Sequence, residues 1–316
     1  MFAFADRLLD ASIVFSFDRT GFLRHAAAWV GEQEERSLAD LVCLVTGANS
    51  GIGRATALEL ARRGARVWLL CRSETRGAAA RDAIRRESGN DAVELSVMDV
   101  SDLNSVTHFV QGFPERQVDL LVHNAGALPA QLAFTAEGIE SSFATNVVGP
   151  HLLTRLLEER LGASADARVV FVSSGGMYPA RLSCRDVDWE KRRFDGVRAY
   201  SQTKRMQVVL SELYAERWKG STRTCHAMHP GWADTPAVRT SIPRFHAVMS
   251  ALLRTAEQGA DTIVWLATSP PERIGSGRFF FDRAPRTTHL LPFTHEEDAE
   301  RQRLWELCEA RSGLLR

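Results

Sequence analysis

The sequence predicts an α/β fold: a doubly wound, mostly parallel sheet in a single domain with a helical amino-terminal extension. Three observations predict it. Apolar runs of strand length alternate with helix-period stretches from residue 41 onward. The runs are continuous rather than alternating, as in strands covered on both faces. The first run ends in a glycine-rich turn, TGANSGIG at 46–53, that opens a helix.

The elements follow in order. LVCLVTG at 41–47 is a buried strand ending at Gly47, and a helix over about 52–63 stops at Gly64. ARVWLLCR at 65–72 is the second strand, and the Arg/Ala/Glu-rich stretch 75–88 is a helix closed by Gly89-Asn90. VELSVMDV at 93–100 is the third strand, 102–112 a helix and VDLLVHNAG at 118–126 the fourth strand. A long helix is expected over 137–161, then the strand ARVVFVSS at 167–174. A long insertion precedes a helix at 199–219. RTCHAMHPG at 223–231 is the sixth strand, 255–268 a helix and GRFFFD at 277–282 a last short strand. The main domain spans 40–293, and the tail 294–316, with Leu304, Leu307 and Cys308 at helical spacing, is a terminal helix. Such a sheet binds its ligand at the carboxyl ends of its strands.

Composition narrows the function. The 39 basic and 39 acidic residues of the 316-residue chain cancel, which argues against nucleic acid as partner. The basic residues are nearly all Arg; only Lys191, Lys204 and Lys219 are Lys. The five cysteines are odd in number and lack CxxC spacing, so a reducing, cytoplasmic compartment without disulfides is expected. His226 and His229 form an HxxH without accompanying carboxylates or thiols, so no metal is expected. No run reaches the ~18–20 apolar residues of a membrane span, and the amino terminus does not read as a secretory signal.

Residues 1–39 stand apart. Two amphipathic stretches, about 5–17 and 20–30, meet near Asp18–Gly21, and the polar run GEQEERS leads into the first strand. One reading is a helical extension packed on the main domain. The other is peripheral membrane contact through Phe2, Phe4, Phe15, Phe17, Phe22 and Trp29. The thin basic face favours the first.

The turn at 46–53 carries a phosphate-binding chemistry. Gly47 permits the tight turn, Gly51 the approach of backbone to a pyrophosphate and Gly53 close helix packing, with Asn49, Ser50 and Ile52 completing the loop. The amino end of the following helix faces the phosphates with free N–H groups. Downstream stand HNAG at 123–126, Asn146, VSSGG at 172–176 and AYSQTK at 199–204. Tyr200 and Lys204 are four apart, on one helix face within reach of a common ligand.

This order and spacing resemble the short-chain dehydrogenase/reductase family, with its Rossmann fold. The interval between Ser174 and Tyr200 is long, which resembles the retinol-dehydrogenase-like branch. The resemblance implies NADP(H)- or NAD(H)-linked oxidoreduction of a small-molecule carbonyl or alcohol, and it supplies roles. Tyr200 would be the acid/base, Lys204 would lower its pKa and bind the nicotinamide ribose, and Ser174 would hold the substrate oxygen. Ser173 remains the alternative hydroxyl. Asn146 would hold a water relaying protons to Lys204. Asp99 and Val100 would lie at the adenine, and Asn124, Ala125 and Gly126 along the cofactor. His123 departs from the family's usual Asn. Pro230, Gly231 and Thr235, matching PGxxxT, would hold the nicotinamide carboxamide. Cys71 occupies the position of the acid that would select NAD(H), and Arg72 follows it, so the expectation is NADP(H).

Met177, Tyr178, Trp189, Phe194, Trp232, Phe245 and Met249 allow a lipophilic substrate, as a retinoid or steroid dehydrogenase would need, and serve equally well as core. The insertion 177–197 is expected to be a substrate-side flap. A cofactor-binding sensor with little turnover is the rival reading. The family also implies a possible homodimer through the helices at 137–161 and 199–219.

Overall fold

The computed structural model describes residues 9–10, 12–29, 36–235, 239 and 243–315. Phe2, Phe4, residues 31–35 of the polar run and the Phe245 side chain lie outside the described residues.

Seven parallel strands and one antiparallel strand form the sheet: β1 Val42–Thr46, β2 Arg66–Cys71, β3 Val93–Val97, β4 Leu120–His123, β5 Ala167–Val172, β6 Arg223–His229, β7 Phe279–Phe281 and β8 Ala284–Arg286. Their order is β3-β2-β1-β4-β5-β6-β7-β8. The winding reverses between β1 and β4, opening the crevice where such sheets take ligands. Side chains alternate across the sheet with period two. Leu44, Val169 and Phe171 join Phe109, Phe143 and Tyr214 on one face. Val45, Val170 and Met228 join Leu60, Ile263 and Phe280 on the other. Both faces are therefore dry, which is why the strands read as unbroken apolar runs.

Three expectations need correction. The sixth crossover strand is followed by two strands, not one: β7 turns back into β8 through Asp282 and Arg283, both at positive φ (48° and 57°). No glycine marks this turn, so the sequence carries no hairpin signal there. The helix expected over 137–161 begins at Ser141, where the buried Glu140 carboxylate accepts from the Ser142 and Phe143 N–H groups at 2.8 Å. It then widens into a π turn over Ala144–Val148 before resuming as Gly149–Leu156. Pro150 lacks the N–H that would ordinarily bond the Asn146 carbonyl four residues back. The helix expected from 199 starts at Gly196, capped by Asp195.

The insertion is packed down rather than loose. Met177, Leu182 and Trp189 are buried. Cys184 N donates to Glu300 of the helix Asp298–Arg311, and Asp188 pairs with Arg311 of the same helix. Trp189 packs edge-on against Phe194 under the Arg192 guanidinium. Most of its apolar content is core, so only part of the loop is available to a substrate.

The helices Ile13–Phe17 and Arg19–Ala26 of the extension lie on the carboxyl ends of β6 and β7. Asp18 caps the second by accepting from Gly21 N at 2.9 Å. Phe17 packs edge-on against His229 and Phe281. Buried Arg254 donates to the carbonyls of Ser16, Phe17 and Asp18 and forms a bidentate pair with buried Asp282. Asp282 also bonds His25 Nδ1 at 2.6 Å, and His25 Nε2 bonds Asp10 at 2.8 Å. Burial alone would lower the His25 pKa; the hydrogen bonds from the two carboxylates outweigh it and raise it. Ile13, Phe15 and Leu23 remain exposed. Among the described residues no helix is long and apolar enough to cross a membrane.

Arg254→Met should destabilise the fold by about 3–5 kcal/mol in urea unfolding, because Asp282 and three carbonyls lose their donor in a buried site. A loss below ~1 kcal/mol would show the network to be dispensable.

Candidate active site

The glycine-rich turn leaves β1 and enters the helix Gly51–Arg62. Ser50 makes no side-chain cap, so the first N–H groups of that helix remain available to phosphate oxygens. Gly47 and Gly51 stand at positive φ (66° and 54°). Gly53 has a different constraint: a Cβ there would collide with Asn124 Nδ2 and approach Gly47 O to 2.6 Å. Asn124 Nδ2 donates to Thr46 O at 2.9 Å, and Thr46 Oγ1 accepts from Asn124 N and Ala125 N at 3.0 and 2.9 Å. These residues fit a dinucleotide: a turn, open amides and a cradle that tolerates no side chain.

At the end of β2, Cys71 is buried and its thiol is pushed up to about 11 by burial, against hydrogen bonds from the Ala48 and Asn49 backbone. It is a neutral group where an acid would reject a 2′-phosphate. Arg72 is exposed. Arg76, one turn into the next helix, also bears electrostatically on Cys71 and was not anticipated. Asp99 already accepts from Ser101 N and Oγ through Oδ1. Val100 is buried, and its carbonyl abuts Gly149, where a Cβ would collide with it. His123 is wholly buried, its ring tilted against Phe171, and bonded to Thr154 Oγ1 at 2.8 Å. Thr154 spends its proton on Pro150 O, so His123 must donate through Nε2. Burial pushes its pKa down to about 3.

The second cluster gathers at the carboxyl end of β5. Ser173 and Ser174 point opposite ways. Ser173 is buried and donates to the Lys204 carbonyl at 2.8 Å. Ser174 is half-buried, accepts from Gly176 N at 3.2 Å and acts on the Tyr200 phenol to lower its pKa. Lys204 Nζ lies 5.3 Å from the Tyr200 ring centroid and is buried. Gly126 is beside both the Lys204 ammonium and Asn146 Oδ1; a Cβ there would be 3.5 Å from each.

One expectation changes here. Lys204 does not depress the Tyr200 pKa in the protein alone: burial raises it, and only the Ser174 hydrogen bond opposes that. Burial likewise lowers Lys204 to about 7. Asn146 and Lys204 are joined through a third side chain. The Asn146 side chain is spent on Ala127 N and O (2.8 and 3.0 Å) and on Thr203 Oγ1 (2.9 Å). Its carbonyl accepts from Gln207 Nε2 at 2.7 Å, and Gln207 Oε1 accepts from Lys204 Nζ at 3.0 Å. The Gln207 carboxamide thus bridges the Asn146 carbonyl and the Lys204 ammonium directly.

At the third part of the site, β6 delivers Pro230 and Gly231. Gly231 has φ 74°, and a Cβ would meet Arg254 Cδ at 2.5 Å. Thr235 is half-buried at the end of this loop. His229 Nδ1 accepts from Gly175 N at 3.0 Å, linking it to the Ser174 turn. His226 points to the opposite face of the strand, so the HxxH cannot converge on one ion. Beside Ser201 a hollow of about 550 Å³ is lined by Ala180, Arg181, Arg192, Arg198 and Phe293 among others.

Residues 41–184 match the family model of short chain dehydrogenase. Over 296 residues the chain is 42% identical to dehydrogenase/reductase SDR family member 12 of Bos taurus, covering 93% of each chain. The chain belongs to the short-chain dehydrogenase/reductase family. It is an oxidoreductase of the retinol-dehydrogenase-like branch: retinol dehydrogenase 12 of Homo sapiens is 37% identical over 273 residues, 85% of each chain. Among solved structures, an uncharacterised protein from Mycobacterium paratuberculosis is 30% identical with a TM-score of 0.72, covering 88% of this chain and 96% of that one.

For this dehydrogenase/reductase, Gln207 and Arg76 are the site residues that motif reasoning missed. Gln207 could have been sought three residues after Lys204, on the same helix face. Gly53→Ala should weaken NADPH binding by about tenfold or more, ~1.4 kcal/mol, because the new methyl displaces Asn124 from Thr46. Fluorescence titration checks it; an unchanged affinity would remove Asn124 from the turn's support.

Proposed function

We propose that this protein reduces carbonyl compounds, or oxidises the matching alcohols, with NADP(H) and with Tyr200 as acid/base, on a small lipophilic substrate. One observation carries the reading: the Ser174 hydroxyl is close enough to the Tyr200 phenol at the carboxyl end of β5 to oppose the rise of its pKa, while Lys204 lies alongside the Tyr200 ring. Carbonyl reduction needs a hydride on carbon and a proton on oxygen. When bound, NADPH supplies the hydride. Burial keeps the proton on Tyr200 Oη at neutral pH, the form that donates. Ser174 Oγ donates to the substrate oxygen and fixes it beside Tyr200. The Lys204 ammonium holds ribose hydroxyls, and once the cofactor is bound its charge favours the phenolate left after proton transfer. Arg72 and Arg76 receive the 2′-phosphate, with neutral Cys71 offering no repulsion. Thr235 and the Pro230-Gly231 backbone orient the carboxamide. The name of the relative retinol dehydrogenase 12 supports a lipophilic alcohol or aldehyde as substrate.

NADPH consumption across aliphatic aldehydes, steroids and retinoids tests the reading. Cofactor binding with no oxidation on any of them would overturn it. Tyr200→Phe should lower kcat by about a thousandfold, within the range general acid catalysis supplies, while NADPH still binds; substantial residual turnover would refute the acid assignment. Cys71→Asp with Arg72→Ala should move the NADPH/NADH ratio of kcat/KM toward NADH by about tenfold, ~1.4 kcal/mol. An unchanged ratio would sink the cofactor assignment.

A further inference from the structure

The geometry points to Gln207 as a positioning residue that locks the Lys204 ammonium to the main-chain carbonyl of Asn146. The inference rests on the functional reading above only for its consequence in turnover; the lock itself is a matter of cofactor binding.

Gln207 is wholly buried on the helix Gly196–Arg217. Its carboxamide has one orientation. Nε2 donates to Asn146 O at 2.7 Å and Oε1 accepts from Lys204 Nζ at 3.0 Å. A flipped amide would set oxygen against oxygen and N–H against N–H. The Asn146 carbonyl is available because the residue four on is Pro150, and the backbone there is a π turn. An acceptor-only carbonyl partner therefore orients Gln207, and Gln207 in turn presents an acceptor to a donor-only ammonium. Val172 O accepts a second Lys204 hydrogen at 2.8 Å. Two of three ammonium hydrogens are thus directed, which leaves one for Tyr200 or a ribose hydroxyl.

Among the described residues no carboxylate performs this task. The π turn and the end of β5 bring no charged residue. Glu140 caps its own helix. Glu212 pairs with Arg301, and Arg205 turns away to the Ala180 and Thr288 carbonyls. His229 of β6 accepts from Gly175 N. His151 is bonded to Glu309 and Tyr214. Tyr200 is the titratable group alongside the ammonium. A neutral amide holds Lys204 in place without supplying a counter-charge, so its positive charge stays available to cofactor and phenolate.

A double-mutant cycle on NADPH affinity tests the lock. Gln207→Met keeps length and removes both hydrogen bonds; it should weaken NADPH by about fivefold in the wild-type background and less than about twofold in Lys204→Met, since contacting residues are non-additive. Equal loss in both backgrounds, the result for a merely structural Gln207, would overturn it. If Lys204→Met does not fold, Gln207→Glu serves instead. A carboxylate beside Lys204 should keep it protonated to higher pH and move the alkaline weakening of NADPH binding upward by about one pH unit. No displacement would also overturn the inference. Turnover separates the two readings. Non-additive binding with no carbonyl consumed by the wild type leaves the lock standing and removes the enzyme reading; additive binding with turnover does the reverse.

Discussion

The Thr46 hydroxyl is the contact on which the rest of the site depends. It ends β1, accepts the N–H groups of Asn124 and Ala125 at the end of β4, and donates to Val122 O. Asn124 returns a side-chain hydrogen bond to Thr46 O. These bonds close the gap where the sheet reverses direction. They place the glycine-rich turn against the strand that carries Gly126, and Gly126 in turn borders Asn146 and Lys204. Phosphate end and reacting end are thereby held in one frame. A buried side chain–backbone clamp suits this role because each of its polar groups would be costly if left unpaired.

A second constraint ties the amino-terminal extension to the same frame. Phe17 packs on His229 and beside Gly175, while Trp232 N donates to Phe17 O at 2.8 Å. Arg254 gathers three extension carbonyls and Asp282 into one buried network. The extension therefore backs the loop after β6 rather than merely decorating the surface. A buried bidentate guanidinium pair contributes chiefly by the penalty for breaking it, which fixes one geometry. Gly175 and Gly231 are the matching concessions, since a side chain at either would strike Phe17 or Arg254.

The reacting end shows how helix geometry and burial share the work. The i, i+4 spacing brings Tyr200 and Lys204 to one face, but it does not set their protonation. Burial does, raising one and lowering the other. The π turn then exposes a carbonyl that an ordinary helix without proline would consume, and Gln207 converts it into a fixed point for the ammonium. Strain-free irregularity of this kind is a recurrent way to present backbone groups at functional sites.

The sequence by itself determined the parallel sheet, the glycine-rich turn, and the placing of Tyr200 and Lys204 on one helix face; Ser174 and Asn146 joined them only through the family resemblance. Those follow from local rules: apolar runs mark strands covered on both faces, and a four-residue spacing marks one helix face. Tertiary structure decided the rest. Which of Ser173 and Ser174 faces outward depends on the pleat at the end of β5 and on the Lys204 carbonyl that captures Ser173. The β7–β8 turn passes through Asp282 and Arg283, whose left-handed backbone no turn signal announces, and Asp282 is held by Arg254 and His25 from distant segments. Trp189 is buried by its neighbours in a loop that composition alone would leave open to substrate. Spacing from Lys204 could single out Gln207, but its bond to Asn146, across 61 positions of chain, exists only once two helices cross.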